Sequence, residues 1–238
     1  MIGGTPADRA GALSILARVT ASIVSVNIGR SRPLDVGRNY PDTSGIGKEP
    51  QVGAVGIRPP GPRRGGLGSG LVGDFIGDSR HHGGDEQAVY AVGQEDLDHW
   101  SRHLDRELTP GMFGENLTTA GIDVNEALLG EWWRVGDGAE LVVTGPRIPC
   151  RTFQVWLGVR GWVKTYTAAG RPGAYLRVAA AGQVRAGDAI TVVHRPDHDV
   201  TVAMAFRAMT TERELIPHLA TAEPHLSEEL RGVLAKAG

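Results

Sequence analysis

The run EWWRVGDGAELVVTGPRIPCRTFQVWLG, Glu131–Gly158, reads as three elements in succession. Glu131–Asp137 and Ala139–Gly145 alternate apolar and polar residues and are joined at Gly136-Asp137, which is the pattern of a strand, a tight turn and a second strand. Beyond Pro149, the residues Phe153, Trp156 and Leu157 recur at helical spacing. Proline favours the first position of a helix, so the chain passes from sheet into a short helix with Cys150 in its first turn.

The same strand rhythm extends outward in both directions. Arg18–Gly29, Gln51–Ile57, Leu71–Ile76, Gln87–Val92, Gly114–Thr118, Ala174–Ala180 and Ala189–Arg195 are further strand candidates, with a second Gly-Asp turn at Gly187-Asp188. Their spacing is mostly too short for repeated strand–helix–strand crossovers. It predicts a mainly β, α+β fold built as a barrel or sandwich. Gln94–Leu108 is the first clear helix, with Leu97, Trp100 and Leu104 on one face and Pro110-Gly111 ending it. A Gly/Pro segment from Gly29 to Gly70, densest at RPPGPRRGGLGSG (Arg58–Gly70), is long for a structureless stretch, and such stretches are often functional. After Pro196 the pattern turns helical. Val202, Phe206 and Met209 share a face, Thr211 and Glu214 form a capping-box pair, and Ser227 opens a last helix. The chain divides into an extension at 1–20, a β domain at 21–195 and a helical extension at 196–238.

Composition narrows the function. Among 238 residues, 25 Lys and Arg face 27 Asp and Glu, a net charge of -2. That argues against non-specific nucleic-acid binding, which needs surplus positive charge to displace counterions. A single cysteine excludes an intrachain disulfide and a CxxC zinc site and fits a reducing, cytoplasmic location. No apolar run approaches the ~20 residues of a membrane span.

Four segments could carry chemistry. In Val143–Gly158, Arg147 and Arg151 flank Cys150, and cations and a helix N-terminus both favour the thiolate. The pattern suits a nucleophile or a metal-binding sulfur, and equally a buried structural cysteine. In Arg80–Tyr90, His81 and His82 would point to opposite faces of a strand, while Gly83-Gly84 could offer backbone amides to an anion. A plain turn with solvated histidines is the alternative. Asn116, Thr118 and Thr119 lie on a polar strand between Gly114 and Gly121 and could bind a heterocycle edge, or simply form an edge strand. Arg171, Tyr175 and Arg177 surround a Pro-Gly turn and could meet an anion or line a solvated strand face. There is neither an HExxH nor a P-loop.

Taken together and in order, RHHGGDEQAVY (Arg80–Tyr90), the run Gly111–Cys150 containing GENL and PRIPC, GRPGAYLRV (Gly170–Val178) and VRAGDAITVV (Val184–Val193) resemble the MOSC domain, the molybdenum cofactor sulfurase C-terminal domain. The resemblance runs from about Ala21 to the C-terminal helices and is to the stand-alone bacterial branch that includes the 6-N-hydroxylaminopurine reductases. It implies a MOSC-type β-barrel with a few helices and a C-terminal helical extension. It also implies binding of the molybdenum cofactor, a pterin dithiolene with a phosphate. Cys150 would ligate molybdenum or carry sulfur. His82, less certainly His81, would contact the cofactor with Gly83 and Gly84, and Asn116, Thr118, Arg147, Arg171, Tyr175 and Arg177 complete the cofactor-binding set. Many members carry Lys where this chain has Gln87, leaving open whether Arg171 or Arg177 compensates.

The implied activity is reduction of N-hydroxylated bases or amines, with electrons from an external redox protein because no flavin or nicotinamide fingerprint is present. The alternative is a carrier of sulfur or cofactor with Cys150 as persulfide acceptor. A cysteine hydrolase using His81, His82 or His194 lacks a nucleophile elbow. Trp and helix surfaces could support a homodimer.

Overall fold

The computed structural model describes residues 21–237, so the extension expected at 1–20 lies outside the described residues. Twelve strands form: β1 (Ser22–Gly29), β2 (Arg32–Pro33), β3 (Thr43–Ser44), β4 (Lys48–Pro50), β5 (Val55–Ile57), β6 (Val89–Gly93), β7 (Leu117–Ala120), β8 (Trp132–Val135), β9 (Ala139–Pro146), β10 (Ala174–Ala180), β11 (Gly182–Val184) and β12 (Ile190–His194). Five α-helices accompany them: α1 (Gln94–Leu104), α2 (Arg151–Leu157), α3 (Trp162–Ala169), α4 (Val202–Thr210) and α5 (Glu228–Ala235). Short 3-10 turns cover Asp85–Gln87 and Arg213–His225.

Eight strands make one mixed sheet in the order β12-β8-β9-β10-β6-β7-β1-β4. All neighbours are antiparallel except β6 and β7. A closed barrel ladder, expected from the sequence, is not formed among the described residues. The start of β12 meets the start of β1 only through an isolated bridge, Ser22 with Ala189, and a few flanking backbone bonds such as Ile190 N–H to the Ala21 carbonyl. The fold is therefore α+β with a large curled sheet. The β8–β9 hairpin forms as its alternation dictates, with Trp133 and Val135 buried opposite Leu141 and Ala139.

Three elements depart from the sequence pattern. Leu71–Ile76 is not a strand: Leu71 makes one bridge to Ile57, and Gly73 at φ 88° turns the chain away. Thr211 opens no capping box. It closes α4, and the segment after it is held in 3-10 form, with Pro217 and Pro224 inside it denying an α ladder two amide donors. The eight residues of α3, rich in Thr and Val and bounded by Gly161 and Gly170, carry too short an apolar pattern to announce a helix.

Two cores result. The larger joins the buried faces of the sheet to α4, the 3-10 segment and α5 through residues such as Trp133, Leu141, Leu176, Val202, Leu219 and Leu230. The smaller is aromatic: Trp100, Phe113, Phe153, Trp162 and Tyr166 gather α1, α2 and α3 over one end of β6. Trp100 and Trp162 sit edge-on with centroids 4.6 Å apart, and Phe113 meets Phe153 at 5.0 Å. Such pairs add about 0.5–1.5 kcal/mol each beyond burial. This cluster is what fixes α2, and so Cys150, against the sheet.

Candidate functional site

The last residues of β9 and the four that follow it carry the site. Pro146 ends the strand, Arg147 turns inward, and Cys150 takes the N-cap of α2 with an extended backbone, φ -129° and ψ 172°. Cys150 thus precedes the first helical turn rather than lying in it. Its carbonyl accepts the first helical bond, from Gln154 at 3.2 Å, while its thiol makes no capping bond. The thiol is free and half-buried.

It opens on a cavity of about 760 Å³, counted out to its open mouth. His82, Gly83, Asn116, Arg147, Cys150 and Tyr175 all line this space. The paired-glycine segment, the GENL segment and the cysteine therefore converge on one chamber. Val36, Pro41 and Thr43–Ile46, from the Gly/Pro-rich connection between β1 and β4, line the same space. Arg151 Nε donates to the Val36 carbonyl at 2.8 Å, so the helix after Cys150 is fastened to that connection. Gly47 packs directly on Trp156, whose Nε1 donates to the Met112 carbonyl at 2.9 Å. A Cβ at Gly47 would stand 2.4 Å from the indole. Gly47→Ala should cost about 1–3 kcal/mol, read as a lowered urea midpoint with unchanged m-value.

Arg147 is 5% exposed. Its Nη1 donates to the Phe113 carbonyl at 2.9 Å, and its guanidinium lies 4.3 Å from the Phe153 ring centroid and 5.1 Å from that of Tyr90. No carboxylate pairs with it among the described residues. Aromatic faces offset part of the desolvation of this permanent cation, but one neutral carbonyl is a thin complement for five donors. Its remaining donors can meet an anion that enters the chamber.

Asn116 is a strut rather than a free contact. Its Oδ1 accepts from the Tyr90 amide at 3.1 Å, and its Nδ2 donates to the Asn27 carbonyl at 3.3 Å and to Asp74 Oδ2 at 2.9 Å. Glu115, fully buried, accepts from the Gly111 and Phe113 amides and from Thr118 Oγ1, which holds the GENL turn in shape. Burial pushes the Glu115 carboxyl above its ordinary value, against these hydrogen bonds.

Other sequence candidates lie elsewhere. His81 is exposed and bonds Asp78 at 3.0 Å instead of facing the chamber. Gly83 and Gly84 both have positive φ, 87° and 81°, but the amides beside Gly83 are committed to the protein. The His82, Gly84 and Asp85 amides are spent on the Asp78, Gly68 and Gly61 carbonyls. Both glycines are required for close packing, since a Cβ would meet the Gly68 carbonyl at 2.8 Å or the Arg63 amide at 2.7 Å. Thr118 points into the Asn27–Glu115 network and does not line the cavity. Arg171 pairs with Asp96 and lines a separate cleft with Asn125 and Arg207. Arg177 is exposed on the outer face of β10.

The second cation of the chamber is Lys48, which sequence reasoning missed. Its side chain is 5% exposed, lines the cavity and pairs with the fully buried Asp74 carboxylate. Asp74 also accepts from the Gly29 amide at 2.7 Å. Lys48 sits within the turn-rich stretch where no periodicity assigns a facing. The one signal was the flanking pair Gly45 and Gly47, both of which pack tightly against neighbours.

His82 is pushed down to about 4, first by burial and then by the Arg147 charge. It is neutral at pH 7 and presents one donor and one acceptor to the chamber. The unfolded chain takes this proton near pH 6.5 and the folded chain near 4. Between those values the unfolded state binds more protons, so this residue erodes stability as pH falls from 6.5 to 4 and has no effect above. His82→Asn should flatten the urea-midpoint slope in that window and leave the midpoint at pH 7.5 little changed.

Among the described residues no group of three or more His, Cys, Asp or Glu side chains could hold a metal ion alone. A metal bound here would need ligands beyond those that the described side chains supply. Among the described residues no helix is long and apolar enough to cross a membrane.

Residues 78–191 match the MOSC domain. The chain is 31% identical over 186 residues to YflK of Bacillus subtilis, a match spanning 78% of this chain and 79% of that protein. A Gibberella moniliformis protein named Reductase is 30% identical over 131 residues, which cover 54% of this chain and 23% of that protein. The crystal structure of YiiM from Geobacillus stearothermophilus shares the fold with a TM-score of 0.71 at 24% identity, covering 91% of this chain and 98% of the other.

Proposed function

This chain belongs to the MOSC domain family, a family with molybdenum-cofactor-associated functions, and on that premise we propose that it is a molybdenum-cofactor-binding oxidoreductase. The observation that carries the reading is Arg147: a buried guanidinium without a carboxylate partner, opening on the same chamber as a half-buried free thiol. A pterin dithiolene phosphate offers what these two groups lack, an anion and a chelated soft metal. When bound, that group supplies a metal able to change oxidation state and to pass electrons to a substrate.

The chain's own residues then have separable tasks. Arg147 holds the phosphate by charge-assisted hydrogen bonds. Cys150 would supply the protein's sulfur ligand to the metal. Neutral His82 and Tyr175 border the chamber as hydrogen-bonding groups that add no charge. Asn116 and Glu115 keep the wall rigid through bonds internal to the protein. We assign as substrates N-hydroxylated bases or amines, and as partner an external redox protein that delivers electrons.

The test is protein purified from a cofactor-competent host. It should carry molybdenum and yield the fluorescence of oxidised pterin, and with a chemical reductant it should convert an N-hydroxylated base to the amine. Protein with neither metal nor pterin would overturn the reading. The exposed fraction of the Cys150 thiol also favours a second use, as a persulfide acceptor. Incubation with a desulfurase and cysteine would then add one sulfur to Cys150 in the mass spectrum, and that result without bound pterin would replace the reductase reading with the carrier.

A further inference from the structure

Reduction of an N-hydroxylated amine consumes protons as well as electrons. For R–NH–OH, two electrons and two protons break the N–O bond and give R–NH2 and water. The external redox protein provides the electrons, but the departing oxygen needs a proton at the moment the bond breaks, and a group lining the chamber is placed to give it. The protein group that supplies it must line the cavity and must hold a transferable proton at neutral pH.

The titratable groups of the cavity can be taken in turn. His82 is neutral, pushed down to about 4. Asp78 is held at about 2, bonded by Arg80 and His81, and is a carboxylate. Tyr90 and Tyr175 are pushed up by burial, and the Tyr90 hydroxyl already donates to the Pro172 carbonyl at 2.8 Å. Arg147 does not give up its proton in proteins. Cys150 is assigned to the metal. Lys48 remains, at the end of the β4 edge with its ammonium inside the chamber.

We infer that Lys48 is the catalytic acid, delivering one proton from Nζ to the departing hydroxyl oxygen while Asp74 holds the ammonium in place. The second proton goes to the amine nitrogen from solvent, and solvent reprotonates Lys48. The inference rests on the reductase reading above. Its geometry is specific: the Asp74 carboxylate that pairs with the ammonium is itself held by the Gly29 amide and by Asn116. The charged groups facing Lys48 are Asp74 and Glu115, which favour its protonated form, and Arg147, which opposes it. Burial outweighs the carboxylates and pulls the ammonium below its ordinary 10.5, which makes it a stronger acid than a solvated lysine.

Lys48→Arg keeps the charge and removes the acid. In cofactor-loaded protein it should retain molybdenum and pterin at the original level while kcat for an N-hydroxylated base falls at least ~100-fold. The basic limb of the kcat–pH profile should disappear in that variant. Asp74→Asn, which removes the opposing charge, should move that limb to lower pH. In metal-free protein, 15N NMR of the lysine ammonium groups should show Lys48 titrating below 10.5. A Lys48→Arg protein with the original rate and profile overturns the inference, and so does a Lys48 that titrates at or above 10.5, in either case with the reductase reading intact. A Lys48→Arg protein that loses molybdenum also overturns it, in favour of a cation that only holds the ligand. Loaded original protein that leaves N-hydroxylated bases untouched overturns both.

Discussion

Cys150→Ser yields a protein at least as stable as the original that no longer retains molybdenum. The two halves of this result have different causes. Cys150 is the N-cap of α2, with the extended backbone of a capping residue, yet its thiol caps nothing. Serine is among the best N-cap residues and would accept from an amide of the first turn, a gain of about 0.5–2 kcal/mol over a non-capping side chain. Local stability therefore favours serine at a position occupied by cysteine, the kind of local violation expected where function decides the residue. The hydroxyl is a hard, poorly ionised donor, and a soft metal centre gains little from it. Reductase activity should fall at least ~1,000-fold, equivalent to about 4 kcal/mol of barrier. Metal analysis, pterin fluorescence and a urea titration on one preparation separate the effects. A serine variant that keeps molybdenum and turnover would remove Cys150 from the metal.

Arg147→Met should be the other large effect, again with stability and binding moving apart. Charge-assisted hydrogen bonds contribute about 1.5–3 kcal/mol each. Loss of two to a phosphate weakens cofactor retention by roughly 100- to 10,000-fold. The metal-free protein is affected oppositely. Replacing a buried, uncompensated charge by an apolar chain of similar length is neutral or stabilising by about 1–4 kcal/mol. The Phe113 carbonyl, left without its donor, returns about 1–3 kcal/mol of that. The variant should unfold no earlier than the original and purify without pterin. If it bound cofactor normally, the anion would sit elsewhere in the chamber.

How much of this was legible in sequence follows from what periodicity can see. The β8–β9 hairpin, α1 and α4 announce themselves because each buries one face at a fixed spacing. The convergence of His82, Asn116, Arg147, Cys150 and Tyr175 came from motifs whose order resembled a family, not from periodicity. What sequence could not give is facing in irregular backbone. His81 and His82 are adjacent, yet one is solvated and the other half-buried in the chamber, because the turn around Asp78 directs the first to its carboxylate. Gly83-Gly84 looked like an anion nest, but the Gly84 amide is consumed by the Gly68 carbonyl, 16 positions earlier, and the Asp85 amide by that of Gly61. Arg171 reads as an anion ligand until its partner Asp96, 75 positions away, is placed beside it. Lys48 was hidden for the same reason, since its partner Asp74 lies 26 positions on across turns. Sheet closure depends on long-range register, which no local pattern encodes.

The connection between β1 and β4 supplies Val36, Pro41 and Thr43–Ile46 to the chamber while contributing only the two-stranded β2–β3 pair as regular structure. Ligand choice is thus written largely outside the eight-stranded ladder. Apart from the tightly packed Gly45, residues there can be exchanged to resize or repolarise the opening while the eight-stranded ladder keeps its hydrogen bonds, so a designer could reshape this scaffold by editing one loop and leaving Arg147 and Cys150 in place.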